Sequence, residues 1–207
     1  MPSRLVMLVA IVALAVPSLF ASGAPLGFTS TLAQDPARAA AERASKKMQA
    51  IMTRAAVPAA TPVVKTTFTE EELNAYMRVQ PDLPTGLTQP TLQFLDDGRV
   101  QSRALVNLDI VRLSEKRGWL DPLAYVTGIL EVHLIGVFRG ANGQGVFTFE
   151  SARVGGAPVA KAVLQELLAF YTKTPETPKG ILLDTPFDLP AGIREVDLRR
   201  GMATVIQ

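Results

Sequence analysis

Gly128-Ile129-Leu130-Glu131-Val132-His133-Leu134-Ile135-Gly136-Val137-Phe138 and Val146-Phe147-Thr148-Phe149-Glu150-Ser151-Ala152-Arg153-Val154 decide the fold. Between them lies a glycine-rich break, residues 139–145. Both halves are dominated by β-branched and aromatic residues, the pattern of a long β-hairpin. Leu130, Val132, Leu134 and Phe138 share one phase of a period of two and make a clean apolar face. Ile129, Ile135 and Val137 make the opposite face partly apolar, with Glu131 and His133 among them. A strand that meets water on one side carries apolar residues on the other side only, so this pattern predicts cover on both faces.

Outward from the hairpin, residues 91–95 read as a strand, Asp96-Asp97-Gly98 as a tight turn and residues 99–113 as a second long strand. In that strand Val100, Ala104, Val106, Leu108 and Ile110 alternate with Gln101, Arg103, Asn107 and Asp109, which predicts one buried and one polar face. Upstream, residues 63–68 are β-rich. Thr69 and Glu72 form a T-x-x-E capping box opening a helix over residues 70–79, with Leu73, Tyr76 and Met77 on one side. Downstream of Gly155-Gly156, Pro158 is read as the first residue of a helix reaching residue 172. Val159, Val163, Leu164, Leu167, Leu168, Phe170 and Tyr171 make its apolar face broad. Residues 181–183 read as a short strand, and residues 193–198 and 202–206 as a closing hairpin. Hairpins without regular β-α-β alternation predict an α+β domain: a long antiparallel sheet with helices on one face.

The N-terminal third is organised differently. Arg4, the apolar run of residues 5–16 and the small residues Ala21-Ser22-Gly23 form a signal-peptide pattern over residues 1–23. The run is shorter than the roughly 20 residues a spanning helix needs. Cleavage after residue 23 and retention as an anchor are the two readings of this segment. Residues 24–62 then hold an alanine-rich helix, capped by Asp35-Pro36, and a Pro/Ala linker. Ala44, Met48, Ile51, Met52 and Ala55 form its narrow apolar stripe, with Arg43, Lys46, Lys47 and Arg54 largely off it. Either it is laid on the domain of residues 63–207, or it rests on anionic lipid as a basic amphipathic helix.

Composition excludes several kinds of chemistry. The 207 residues include no cysteine, which removes disulfides, thiolate metal sites, a cysteine nucleophile and lipid attachment at cysteine. With 21 basic and 19 acidic residues the net charge is +2, too balanced for a general nucleic-acid binder. His133 is the single histidine and lies in mid-strand, without a Gly-x-Ser-x-Gly elbow elsewhere, so a serine triad has no base. One histidine without cysteine also makes a zinc site improbable. Gly140, Gly143 and Gly145 join two strands rather than a strand and a helix N-terminus, so they read as hairpin turn and not as phosphate cradle. The expectation is a protein that is not an enzyme and uses neither metal nor cofactor.

Apolar surface is what the sequence offers instead. The hairpin and the 158–172 helix carry more of it than one thin interface uses. It belongs either to a filled core or to a lipid-sized groove between sheet and helix. In the groove reading the ligand-binding candidates are Leu73, Tyr76, Met77, Leu130, Val132, Leu134, Phe138, Val163, Leu167 and Phe170. The loop holding Arg112, Lys116, Arg117 and Trp119 sets cations beside the single tryptophan. That suits a peripheral membrane contact; an ordinary exposed loop is the other reading.

Thr69-Glu70-Glu71-Glu72-Leu73-Asn74-Ala75-Tyr76, Asp96-Asp97-Gly98-Arg99-Val100 before a strand, and Leu189-Pro190-Ala191-Gly192-Ile193 before the closing hairpin resemble LmeA-like phospholipid-binding proteins. These belong with the tubular lipid-binding (TULIP-like) proteins of the bacterial envelope. The resemblance spans residues 63–207. It implies a long, strongly curved antiparallel sheet wrapped around one or two helices, with an apolar tunnel for acyl chains and no catalytic residues. The implied ligand is a phospholipid or other hydrophobic small molecule, and the implied setting is the periplasm or cell envelope. The size of the 158–172 helix and the alanine-rich helix before residue 63 depart from that pattern. The rival reading is a structural or adaptor protein whose apolar faces meet another protein; a carboxylate hydrolase comes third.

Overall fold

A computed structural model describes residues 35–56, 62–79, 83–113, 127–173 and 178–207. The signal-peptide pattern, most of the Pro/Ala linker, and Lys116, Arg117 and Trp119 lie outside the described residues, as does the side chain of Arg112. The described chain is α+β. Its elements in order are α1 (Pro36–Ala55), β1 (Lys65–Thr69), α2 (Glu70–Val79), β2 (Leu87–Phe94), β3 (Arg99–Asn107), α3 (Leu108–Leu113), β4 (Ile129–Ala141), β5 (Gln144–Val154), β6 (Ala157–Pro158), α4 (Lys161–Thr172), β7 (Phe187–Asp188), β8 (Glu195–Arg199) and β9 (Met202–Ile206).

The nine strands form one antiparallel sheet, ordered β1-β9-β8-β4-β3-β2, with β5 branching from β4 and pairing β6 and β7. β4 is its spine. Along one edge it pairs β3 from Ile129 to Val137 and then β8 at Gly140; along the other it pairs β5. The hairpin turn is tighter than the sequence suggested. Only Asn142 and Gly143 stand outside the strands, with φ of 53° and 77°. Positive φ at both central residues is what a two-residue hairpin turn compatible with strand twist demands, and Asn-Gly supplies it.

On the inward face of β4, Val132, Leu134, Gly136, Phe138 and Gly140 are buried and Leu130 is half-buried. The expected cover of the second face is absent among the described residues. Ile129 is 64% exposed, Glu131 and Arg139 are exposed, and His133, Ile135 and Val137 are half-buried. β5 changes phase part-way. Gly145 and Phe147 point inward, Glu150 is an extra residue between the pairs Gly136–Phe149 and Ile135–Ser151, and the inward positions then become Ala152 and Val154. This bulge keeps both halves of β5 facing one core. Opposite it, Gly136 has no room for a side chain: a Cβ there would lie 2.4 Å from the Phe147 ring and 2.6 Å from the Thr148 carbonyl oxygen.

The helices close the inward face. α2 begins with the expected capping box: the Thr69 amide donates to Glu72 Oε2 (3.0 Å) and the Glu72 amide to Thr69 Oγ1 (3.1 Å). Leu73 and Met77 then enter the core. α2 also seals the edge strand β2. The Asn74 side chain donates to the Leu92 carbonyl and accepts from its amide, and Glu70 accepts from the Phe94 amide. Pro90 has no N–H to leave unpaired. α1 is capped by the Asp35 side chain and lies on the domain, with Ala40, Ala41, Ala44, Met48 and Ile51 buried. Ala44, Met48 and Ile51 of its apolar stripe are therefore occupied by protein, with Met52 half-buried and Ala55 exposed at the C-terminal end. Glu72, only 5% exposed, receives Lys47 at 2.6 Å and Arg43 at 3.2 Å, which ties α1 to the start of α2.

Four boundaries differ from the sequence reading. β3 stops at Asn107, whose Oδ1 accepts the Asp109 amide and turns the chain into α3, although the alternation of Leu108 and Ile110 continues the strand pattern. β2 begins at Leu87, behind a bulge at Gln89 and Pro90. Pro158 sits in β6, opposite Arg153, and the helix starts three residues later at Lys161. Residues 181–183 are not a strand, because the Gln165 side chain takes up their backbone groups: its Nε2 donates to the Ile181 carbonyl and its Oε1 accepts the Leu183 amide.

Candidate functional site

Apolar side chains on the inward face fall into two clusters, and the ten ligand-binding candidates divide between them. The first takes Leu73, Met77, Leu134 and Phe138, with Tyr76 half-buried against it, and reaches α1, β8 and β9 through Ile51, Val196 and Val205. The second takes Val132 and Leu167 with Leu87, Val106, Leu108 and Tyr171. Leu130, Val163 and Phe170 form part of its half-buried rim. The structure thus does not bring the ten together into one groove. Where the clusters meet, the space bounded by Ser102, Ala104, Val132, Leu134, Leu164 and Leu168 amounts to about 10 Å³. One water molecule needs about that much, so the described residues there meet side chain to side chain.

The second cluster has a feature the sequence did not single out. The Tyr171 hydroxyl is buried and has no hydrogen-bond partner among the described residues. Burial pushes its pKa up to about 12, so it is a neutral phenol ready to donate. A buried hydroxyl without a partner costs free energy, and it stands at the end of α4 beside the half-buried ring of Phe170, 4.9 Å away between centroids. Periodicity sets Tyr171 on the broad apolar face of the helix; the burial of its polar tip comes from packing against Val106 of β3 and Leu108 of α3.

α4 is held to the sheet in a restricted way. Among the described residues, backbone bonds from residues 157–184 to the sheet go to β5: β6 pairs with Arg153 and Val154, Val159 donates to the Ala152 carbonyl, and Asp184 donates to the Phe147 carbonyl. The Asp184 carboxylate also pairs with Lys161 and accepts the Phe149 amide, and these two, Lys161 first, hold its carboxyl below the usual range. Gln165 and Thr172 bind the returning chain to the helix, with Thr172 Oγ1 accepting the Ile181 amide at 2.7 Å. α4 and residues 178–184 therefore form one cover, fastened along β5 on either side of the bulge.

Among the described residues the polar side chains singled out by the sequence stand apart from one another. His133 stands on the outward face in register with Arg103 of β3 and Arg153 of β5. Its Nε2 is buried without a hydrogen-bond partner among the described residues. Burial first, then the two guanidinium groups, lower its pKa from 6.5 against the opposing pull of Glu131. Among the described residues no group of three histidine or acidic side chains could hold a metal ion. An open groove of about 850 Å³ lies between Asp96-Asp97-Gly98, the end of β4 and β8. Two of its acids already have partners: Asp96 is paired with Arg200 and Asp197 with Arg199. No helix among the described residues is long and apolar enough to cross a membrane. Compared with protein-family models, curated proteins and solved structures, the chain gives no match.

Proposed function

We propose that this is an exported envelope protein that takes a lipid or other hydrophobic small molecule beneath α4, for lipid transfer or envelope maintenance. The observation that carries the reading is the second cluster: an apolar floor, a half-buried rim of Leu130, Val163 and Phe170, and a buried hydroxyl at Tyr171 that has no hydrogen-bond partner among the described residues. A molecule with an apolar chain and a single polar group complements that arrangement. Each acyl methylene buried contributes about 0.8 kcal/mol, so affinity needs few polar contacts. The narrow space between sheet and helix implies that loading displaces α4, with its fastening on β5 as the hinge. The strongly curved, TULIP-like wrapping of the sheet around the helix is part of the same proposal, as is a membrane contact at Arg112, Lys116, Arg117 and Trp119. No catalytic residue or cofactor is assigned.

Organic extraction and native mass spectrometry of protein purified without refolding test the reading. Bound lipid, or uptake of a fluorescent fatty acid that weakens in Leu167→Glu, is the expected result. Protein that is lipid-free in repeated preparations and takes up no probe overturns it. The tight contact between the two clusters favours a second reading, a structural or adaptor protein of the envelope. That reading expects a stable complex in solution rather than a loadable monomer, which sedimentation analysis distinguishes.

A further inference from the structure

The outward face of β2 to β5 carries a concentration of charge that neither the packing nor the interior uses. Arg103, His133 and Arg153 stand in one row across three adjacent strands. Arg99 and Arg139 lie on the same face, and Arg78, from the last turn of α2, reaches the outer side of the β2 bulge. There it lines an open concavity of about 480 Å³ with Gln89, Thr91, Arg103, Leu105 and Glu131. Of these arginines Arg99 is paired, with Glu150. Arg153 donates to the Gly156 carbonyl at 3.4 Å, and Arg78, Arg103 and Arg139 make no ion pair among the described residues. Five arginines thus share this face with Glu131 and Glu150; Arg99 and Arg139, at its β8 end, also stand beside the acidic groove of Asp97, Glu195 and Asp197, so the excess of cations is centred on Arg78, Arg103 and Arg153. Between the cations lie exposed Ile129 and half-buried Leu105, Ile135 and Val137.

We propose that this face is a docking surface for an anionic lipid bilayer, with the concavity between Arg78 and Arg103 seating a phosphate headgroup and the aliphatic residues meeting the interfacial layer. Charge complementarity selects this occupant. A guanidinium fork matches phosphate oxygens two at a time, and several cations on one face add their attraction to an anionic surface within a Debye length. The interspersed aliphatic side chains suit a boundary between headgroups and hydrocarbon better than a free soluble anion. The proposal stands whether or not the interior takes a hydrophobe, because it uses the opposite face of the sheet.

Co-sedimentation with phosphatidylcholine vesicles, with and without phosphatidylglycerol, tests it on the full chain. The wild type is expected to bind the phosphatidylglycerol vesicles preferentially and to be released by salt. Each arginine near an anionic surface is worth roughly five-fold in partitioning, so Arg103→Gln with Arg153→Gln should weaken binding roughly 25-fold. Arg103→Lys with Arg153→Lys should keep most of it. Arg38→Gln with Lys46→Gln, on the exposed side of α1, should leave it unchanged. Circular dichroism confirms that the variants are folded; both arginines are exposed, so their replacement leaves the core intact. Three results overturn the proposal: equal binding to both vesicle types, or to neither; a double glutamine variant that sediments like the wild type; or an equal loss in the α1 variant. Competition by inorganic phosphate at constant ionic strength would also overturn it, because that marks a discrete phosphate pocket rather than a bilayer surface.

Discussion

Replacing Glu72 by alanine tests the junction of α1 with the domain. The carboxylate is 5% exposed and accepts from Lys47, Arg43 and the Thr69 amide. Alanine leaves the Thr69 amide without its capping partner, a loss of about 1 kcal/mol. The Lys47 contact is charge-assisted and short, and its ammonium is 33% exposed, so after screening it is worth about 1–2 kcal/mol. Arg43 is 54% exposed and adds little. The total, about 2–3 kcal/mol, corresponds to a fall in Tm of about 5–10 °C for a chain of this size. Glu72→Gln keeps an acceptor for Thr69 and should lose about half as much. A double-mutant cycle with Lys47→Met, followed by thermal and urea unfolding, isolates the pair. Acid supplies an independent check. Burial raises the Glu72 carboxyl pKa, but Lys47, the Thr69 amide and Arg43 outweigh it and hold the value below 4.5. The folded state therefore prefers the carboxylate, and the stability it contributes, present above pH 4.5, is lost as pH falls through the lowered folded value. That acid slope should flatten in Glu72→Gln. Additive single effects in the cycle, with an unchanged acid slope, would refute the reasoning.

Gly136→Ala should destabilise by about 1–3 kcal/mol through overpacking against Phe147 and the Thr148 carbonyl, measurable as a lower urea midpoint at constant m-value. His133 has a folded pKa below 6.5, so protonation favours the unfolded chain; stability should fall as pH drops below 6.5 and should fall less in His133→Gln, read by Tm between neutral and mildly acidic pH. Thr172→Val leaves the Ile181 amide without its buried acceptor and should cost about 1–3 kcal/mol; hydrogen exchange should rise in residues 178–184 before it rises in β4. If α4 is the displaced cover, the same variant should load a fluorescent fatty acid faster than the wild type, and an unchanged loading rate would dissociate the cover from ligand entry.

Local interactions made much of this fold legible from the sequence. Thr69 and Glu72 are three residues apart and satisfy one another, so their pattern carried its own geometry. The inward alternation of Val132, Leu134 and Phe138 held because one side of β4 is packed. Misread positions are those where a distant partner or a side chain decides. Asn107 ends β3 by bonding to Asp109, although the alternation of apolar residues continues. Gln165 replaces a strand neighbour for residues 181–183, and nothing in their own sequence announces it. Ile135 and Val137 suggested a second cover, but aliphatic residues at half-exposed positions of a central strand serve as well. The separation of the ten ligand-binding candidates into two clusters was equally hidden, because periodicity assigns a face and not a position along it. The alternation of Ala104, Val106 and Leu108 did point to the second cluster's floor.

The pairing of β1 with β9 bears on how the chain folds. β1 has β9 as its strand partner, and Thr67 meets Thr204 across 137 residues of sequence. Closing so long a loop gains nothing until most of the intervening strands are in place, because the entropy of closure comes before the contacts that offset it. The β4–β5 hairpin, closed by two turn residues, has no such delay. Folding should therefore start at the hairpin and finish at β1, in milliseconds to seconds rather than microseconds. Until then Phe68 and the apolar side chains of β8 and β9 stay in water, and it is this late-paired margin, not the spine of the sheet, that a holdase would find.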